Sequence, residues 1–290
     1  VGDPYITYHR RRGAPPGAAG ALCLRGGNGV LPYVTLFGHT LSTYSVLAIL
    51  GFLAGLLLVV LASPRFALNR DDSVYLYVFS FAGVLVGAKL LSLLPLLLRL
   101  AADLPMLWTG EWEQFVRTYL TSGMVYYGGL AGAVVGAWLT ARYFSLRLSD
   151  FFPVLVPAIP LFHAFGRVGC FCAGCCYGVE APEPWGIAFT HAVAGPNGVP
   201  LLPVQLWESG AELVIFVILL WYAARTKARE RLLPAYVLLY APTRFVLEFF
   251  RGDPARRLYG PLSTSQWLSL AAIAAAFWLL YRCKNHEYSQ

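Results

Sequence analysis

Apolar residues run in long stretches along this chain, broken by short connections that carry much of its charge. Stretches of that length read as membrane helices, because a helix satisfies its own backbone hydrogen bonds where no water can reach them. Seven spans are predicted, at about 40–62, 73–99, 124–144, 151–171, 205–224, 233–250 and 265–281. The expected fold is all-α: a polytopic membrane bundle of about seven transmembrane helices. Residues 1–36 are expected to form an N-terminal extramembrane segment, 37–284 the seven-helix domain, and 285–290 a cytoplasmic tail.

Composition sharpens this picture. Hydrophobic residues make up 58% of the chain and charged ones 13%, with a mean hydropathy of +0.59, which excludes an ordinary soluble domain. A net charge of +7 suggests nucleic acid, but the arginines are scattered among apolar spans instead of forming a basic face, so no nucleic-acid partner is expected. The first 36 residues lack the apolar core of a secretory signal peptide.

The connections also predict orientation. Arg65 and Arg70, Arg142 and Arg147, Arg225, Lys227, Arg229 and Arg231, and Arg282 and Lys284 all fall on one side, which should be cytoplasmic. An external N-terminus and a cytoplasmic C-terminus follow. Arg10 to Arg12 and the group Arg251, Arg256 and Arg257 run against this rule. Distance from any span accounts for the first group, and a bound ligand for the second.

Charges inside spans mark candidate chemistry, because ionised groups at membrane depth are costly and normally face a bundle interior or a watery cavity. In the sixth span Tyr240, Arg244, Glu248 and Arg251 follow at steps of four, four and three, one helical face. An Arg244–Glu248 pair holding helices together is the plain alternative, but Arg251 leaves a surplus positive charge. At the end of the fourth span His163 and Arg167 lie four apart, ahead of Gly166, Gly169, Gly174 and Gly178, so backbone can approach a ligand there. Arg167 and an arginine of the sixth span suit a clamp on a lipid phosphate; snorkelling to the interface is the alternative for Arg167, and helix packing for His163.

Gly128, Gly132 and Gly136 repeat every four residues, a spacing that lets helices pack closely. Tyr126, Tyr127 and Gly129 stand at the outer end of that span, as interfacial anchors or as chemical groups. Glu208, with Gln205 and Trp207 ahead of it, opens the fifth span, where a carboxylate also suits the helix dipole. Cys170, Cys172, Cys175 and Cys176 fall within seven residues. Cys172-Ala-Gly-Cys175 has the spacing of metal and redox pairs, a zinc site would add Cys170 and Cys176 or His191, and a disulfide on the outer face or simple packing also fits.

Together these stretches resemble the prolipoprotein diacylglyceryl transferases of bacterial inner membranes. The resemblance is carried in order by Tyr44, Tyr-Gly-Gly at 127–129, Gly-Arg-Val-Gly at 166–169 running on to Gly178, Pro-Val-Gln-Leu-Trp-Glu at 203–208, and Tyr-x-x-x-Arg-x-x-x-Glu-x-x-Arg at 240–251. Pro-Trp-Gly at 184–186 and Leu262-x-x-x-Gln266 add smaller matches. It implies a multi-pass enzyme of the bacterial inner membrane that moves diacylglyceryl from phosphatidylglycerol, or a similar anionic phospholipid, to the lipobox cysteine of a prolipoprotein and releases glycerol phosphate. Carried over, it implies Arg167 and Arg244 as phosphate-holding catalytic residues with Tyr127 beside the acceptor. Tyr44, Gly128, Gly129, Gly169, Cys170, Cys175, Gly178, Glu208, Tyr240, Glu248 and Arg251 line the substrates. No cofactor or metal is expected, since arginines supply the positive charge. The chain departs from the family's usual residues in having Tyr127 for a histidine, Cys170 for an asparagine and Cys175 for a glutamate. Those cysteines motivate a rival reading as a membrane thiol-disulfide oxidoreductase, with a non-catalytic lipid-binding relative as the third.

Overall fold

The computed structural model describes residues 31–36, 38–121, 125–253 and 258–287. The expectations placed on residues 1–30, including Arg10 to Arg12, and on Arg256 and Arg257 lie outside the described residues. Among the described residues eight α-helices carry the fold: α1 Thr43–Ala62, α2 Arg70–Asp103, α3 Trp112–Thr121, α4 Tyr126–Tyr143, α5 Phe152–Ala173, α6 Val204–Arg225, α7 Leu232–Leu247 and α8 Thr264–Glu287. Three short antiparallel hairpins serve the connections: β1 Tyr33–Leu36 with β2 His39–Ser42, β3 Ile187–Ala188 with β4 Pro200–Leu201, and β5 Leu258–Tyr259 with β6 Leu262–Ser263. The chain is therefore an all-α polytopic membrane protein, as its pattern predicts.

Six of the described helical segments are long and apolar enough to cross a membrane: Thr43–Phe66, Arg70–Leu97, Leu148–Ala173, Val204–Arg225, Arg229–Phe250 and Thr264–Lys284. The remaining predicted span, the third at 124–144, corresponds to α4, an 18-residue helix whose four glycines and three tyrosines dilute its apolarity. The short α3 lies in a stretch read as a plain connection. Two elements run across the expected divisions. The division at 36 and 37 falls within the β1–β2 hairpin, and residues 285–287, expected as tail, continue α8.

Glycine sets how closely the helices approach. A Cβ on Gly132 would run into the Gly83 carbonyl oxygen and lie 3.0 Å from the Gly87 Cα, and one on Gly128 would strike the Gly87 carbonyl. The predicted glycine stripe of α4 thus seats its backbone directly on α2, with Gly83 and Gly87 as its partners. A Cβ on Gly51 would sit 2.8 Å from the Phe165 Cβ, so α1 and α5 meet the same way. Ser209 Oγ of α6 donates to the Ala164 carbonyl of α5 at 3.0 Å, a polar tie between two buried faces.

At one end of the bundle three connections are pinned together. Arg229 Nη1 donates to the Asp150 carbonyl at 3.0 Å and Nη2 to the Phe66 carbonyl at 2.9 Å. Arg65, Lys227 and Arg229 line one hollow at this end, which carries much of the chain's basic charge. The same end holds the Asn69 cap, whose Oδ1 accepts the N–H groups of Asp71 at 2.8 Å and Asp72 at 3.1 Å. At the opposite end α8 starts on a reciprocal cap: Ser263 N–H donates to Gln266 Oε1 at 2.9 Å while Gln266 N–H donates to Ser263 Oγ at 3.3 Å. Gln266 Nε2 also reaches the Phe245 carbonyl at 3.4 Å, fixing α8 against α7.

Candidate active site

The up-and-down path of the chain brings five helix ends together at the end of the bundle opposite Arg229: the starts of α1, α4 and α6 and the ends of α5 and α7. Each presents a polar residue. On α5 and α6 these form one connected set. Arg167 Nη2 lies 3.0 Å from Glu208 Oε1, and Arg167 Nε donates to His163 Nε2 at 3.1 Å. His163 Nδ1 lies 2.5 Å from Glu212 Oε1, and Tyr240 Oη of α7 donates to Glu208 Oε1 at 3.4 Å. Glu208 is 3% exposed and Glu212 not at all, a depth at which carboxylates persist only when paired.

Arg244 enters from α7. Its Nη2 pairs with Glu248 Oε2 at 2.6 Å and donates to Ser265 Oγ at 3.2 Å, while its Nη1 is buried and has no acceptor among the described residues. Tyr240 lies within electrostatic range of both Arg167 and Arg244, which places the two arginines in one site. The Arg244–Glu248 pair, the plain alternative reading of that face, is therefore present, and Arg244 still keeps a buried donor to spare.

Arg251 corrects the helical-face expectation. Helix α7 ends at Leu247 and tightens into a 3₁₀ turn over Glu248–Phe250, so Arg251 leaves the face shared by Tyr240 and Arg244. It binds Asp253 through two hydrogen bonds, at 2.7 and 2.8 Å. The chain's own aspartate meets the surplus charge. Burial works to lower the Arg251 pKa, but the hydrogen bonds and charge of Asp253 outweigh it and raise the value above the usual arginine range.

Other predicted residues fall in two groups. Tyr44, at the start of α1, packs on Gly169, where a Cβ would come within 2.9 Å of the Tyr44 ring, and it lies within electrostatic range of Arg167, Cys170, Cys175 and Cys176. Gly128 and Gly129, expected to line substrates, pack in the seam with α2, where a Cβ on Gly129 would sit 3.2 Å from Val84 Cγ1. Gly178 is closed in by Leu202 and the Phe250 carbonyl and bridges to Arg251, so it stitches the loop after α5 to the end of α7. The tyrosine brought to the charges is Tyr126, within electrostatic range of Arg167, Glu208, Glu212 and Arg244. Tyr127 stacks edge-on against Tyr126 at 5.7 Å.

The cysteines also group differently from the Cys172–Cys175 expectation. Helix α5 stops at Gly174 (φ +66) in the left-handed region, and Cys176 takes φ +56. That turn folds the chain back so that the sulfurs of Cys170, Cys175 and Cys176 all lie within 4.8 Å of one another, with Cys172 outside the group. All four thiols are free. Hydrogen bonds with Cys170 and Cys175 hold the Cys176 thiol well below its usual range, against the effect of burial.

Glu212 and Asp253 were absent from the residues singled out in the sequence. Glu212 follows Glu208 by four positions inside an apolar span, the same signal that drew attention to Arg244 and Glu248. Asp253 lies beyond the helix end, where periodicity says nothing.

The family model described as prolipoprotein diacylglyceryl transferase matches residues 32–282. Among curated relatives, the phosphatidylglycerol--prolipoprotein diacylglyceryl transferase of Clostridium tetani is 31% identical over 238 residues, covering 82% of this chain and 91% of the relative. The Geobacter sulfurreducens protein of the same name is 34% identical over 232 residues, covering 78% and 84%. A Clostridium perfringens protein named as the second such transferase is 29% identical over 252 residues, covering 85% and 92%. With a match across this much of the sequence, and the motif residues of five helix ends gathered in one charged site, the chain belongs to the prolipoprotein diacylglyceryl transferase family.

Proposed function

We propose that this chain transfers diacylglyceryl from phosphatidylglycerol to the cysteine thiol of a prolipoprotein, at the outer side of a bacterial inner membrane. The buried Arg244 Nη1 carries the reading: it has no acceptor among the described residues, and its arginine shares with Arg167 the surroundings of Tyr240. A guanidinium donor left open inside a low-dielectric site suits an anion, and a phosphate diester supplies one. Arg167 and Arg244 hold the phosphate while the acceptor thiolate attacks the glyceryl carbon. The carbon–sulfur bond forms, the carbon–oxygen bond breaks, and the electron pair leaves on the oxygen of glycerol phosphate. The arginines stabilise the charge growing there, a role that preorganised donors perform better than water. Glu208, Glu212 and His163 fix Arg167 in place, and Tyr126 faces the incoming groups. The arginines and the lysine around the Phe66 and Asp150 connections favour that end as cytoplasmic, with α4 as a seventh span, which puts the site on the external side.

Arg244→Lys tests the assignment while keeping a cation against Glu248. Purified protein is incubated with labelled phosphatidylglycerol and a lipobox-cysteine peptide, and the peptide mass is followed. Loss of one preorganised donor predicts a fall of about 10²–10³ in the transfer rate. Full activity in folded Arg244→Lys protein would remove Arg244 from the chemistry, and no transfer by the unaltered chain would overturn the reading itself.

A further inference from the structure

The turn after α5 gathers three thiols, and the chemistry above assigns no role to any thiol of this chain. Cys170 sits on the last turn of α5, and Cys175 and Cys176 follow the left-handed residue Gly174. Cys175 N–H returns to the Cys170 carbonyl at 3.1 Å. Cys176 itself is held at φ +56, a conformation that costs a non-glycine residue roughly 1–2 kcal/mol and persists where surrounding contacts enforce it. The result is three sulfurs within 4.8 Å of one another. Thiolates on a tetrahedral Zn²⁺, each about 2.3 Å from the ion, stand about 3.8 Å apart, so adjustments of about 1 Å or less would close the set on one ion.

We propose that Cys170, Cys175 and Cys176 bind one Zn²⁺ through three thiolates, leaving a fourth coordination position for the acceptor cysteine. Three protein ligands and an open position make a catalytic arrangement of zinc, whereas a structural site is closed by four. A thiol that enters the open position loses its proton to bulk water on coordination, and the metal-held thiolate then attacks the glyceryl carbon as written above. This inference rests on the transferase reading for the identity of its thiol, but not for the presence of the metal. The position is suitable: Arg167 lies within electrostatic range of both Cys170 and Cys176, so the coordinated sulfur would stand beside the arginine that takes the leaving phosphate. Gln205 closes the other side. Its Nε2 donates to the Cys175 carbonyl at 2.7 Å, and its buried Oε1 has no donor among the described residues, leaving an acceptor for a backbone N–H of the arriving peptide.

Co²⁺ binding to the reduced chain in lipid nanodiscs, followed through the sulfur-to-cobalt charge-transfer band, tests both halves without any phospholipid turnover. One Co²⁺ per chain is expected. Ligand loss in Cys170→Ser or Cys176→Ser should weaken binding by more than about tenfold, since loss of even an outer-shell partner costs that much. Cys172→Ser should bind as the unaltered chain does. A lipobox peptide should raise the band by about a third, four thiolates in place of three, and its Cys→Ser version should not. If the substituted chains fail to fold, X-ray absorption on the unaltered protein loaded with Zn²⁺ should show three sulfurs at about 2.3 Å. Absence of stoichiometric binding, binding that survives loss of Cys170 or Cys176, or a metal shell of nitrogen and oxygen would overturn the site. A band that ignores the cysteine peptide would overturn its role toward the acceptor. Normal metal binding in a chain that transfers nothing would instead fault the transferase reading.

Discussion

The Arg167–Glu208 contact offers a test in which the energetics can be worked through. The two charged groups stand 3.0 Å apart, with side chains 14% and 4% exposed. At that distance the Coulomb attraction is about 5 kcal/mol for an effective dielectric near 20. Desolvation has already been spent in making the pair, so removing one partner leaves the other charge buried and costs about 3–5 kcal/mol. Arg167→Ala leaves Glu208 with the Tyr240 hydroxyl at 3.4 Å and the His163 Nε2 at 3.9 Å, and no full counter-charge as close as the lost guanidinium. Glu208→Ala strands Arg167 on the His163 ring. Each single change should therefore destabilise by about 3–5 kcal/mol, while the double change removes both orphaned charges and should cost less than the sum by about 2–4 kcal/mol. The assay is reversible unfolding in mixed micelles followed by tryptophan fluorescence, run on the four chains of the cycle. Additive losses, or single variants within about 0.5 kcal/mol of the parent, would show that water reaches this pair and that the site is not the desolvated cluster described above.

Further expectations concern the scaffold. Gly132→Ala must push α4 off α2, because its Cβ meets the backbone of Gly83 and Gly87; a loss of about 1–3 kcal/mol in unfolding is expected, together with slower transfer as Tyr126 is carried away from Arg167. Gly210→Ala, whose Cβ meets nothing within 4 Å, should instead gain about 0.5–1 kcal/mol in the same measurement. Ser209→Ala removes the hydroxyl donor to Ala164 and should cost about 0.6 kcal/mol, since hydrogen bonds between membrane helices are worth little more. Asp253→Ala leaves the half-buried Arg251 unpaired and should expose the loop after α7 to limited proteolysis, whereas unchanged cleavage would show that Arg251 finds another partner.

Much of the bundle was legible because lipid imposes one rule on every span, and the glycine repeat on α4 was readable because close backbone approach needs small residues at a fixed interval. Partners between helices were less so. The spacing of Tyr240, Arg244 and Glu248 reported one helix face correctly, but nothing in sequence spacing connects Arg167 with Glu208, which lie on different helices. Arg251 misled because periodicity was extended past the point where α7 tightens. The Cys172–Cys175 spacing misled for a related reason: helix phase turns Cys172 away, while the left-handed turn at Gly174 returns Cys175 and Cys176 to Cys170. Tyr126 and Tyr127 are adjacent, and only the rotation of α4 on its glycine seam decides which of them faces the charges.

That seam has a property its close contact conceals. Gly83 meets Gly132 and Gly136, and Gly87 meets Gly128 and Gly132, so the surface repeats itself every four residues. A slip of α4 by four residues, about 6 Å along its axis, would set glycine against glycine again over part of its length. Self-similar surfaces bring two helices together without choosing between neighbouring alignments, much as a ratchet accepts its pawl at every tooth. The choice here falls to contacts outside the stripe: the Val125 N–H crosses to the Ala88 carbonyl at 3.1 Å, and at the far end the Tyr75 ring stacks on Phe144 at 5.3 Å. The backbone hydrogen bond at the mouth of the site and the ring stack at the other end are thus the detents that set how deep Tyr126 reaches.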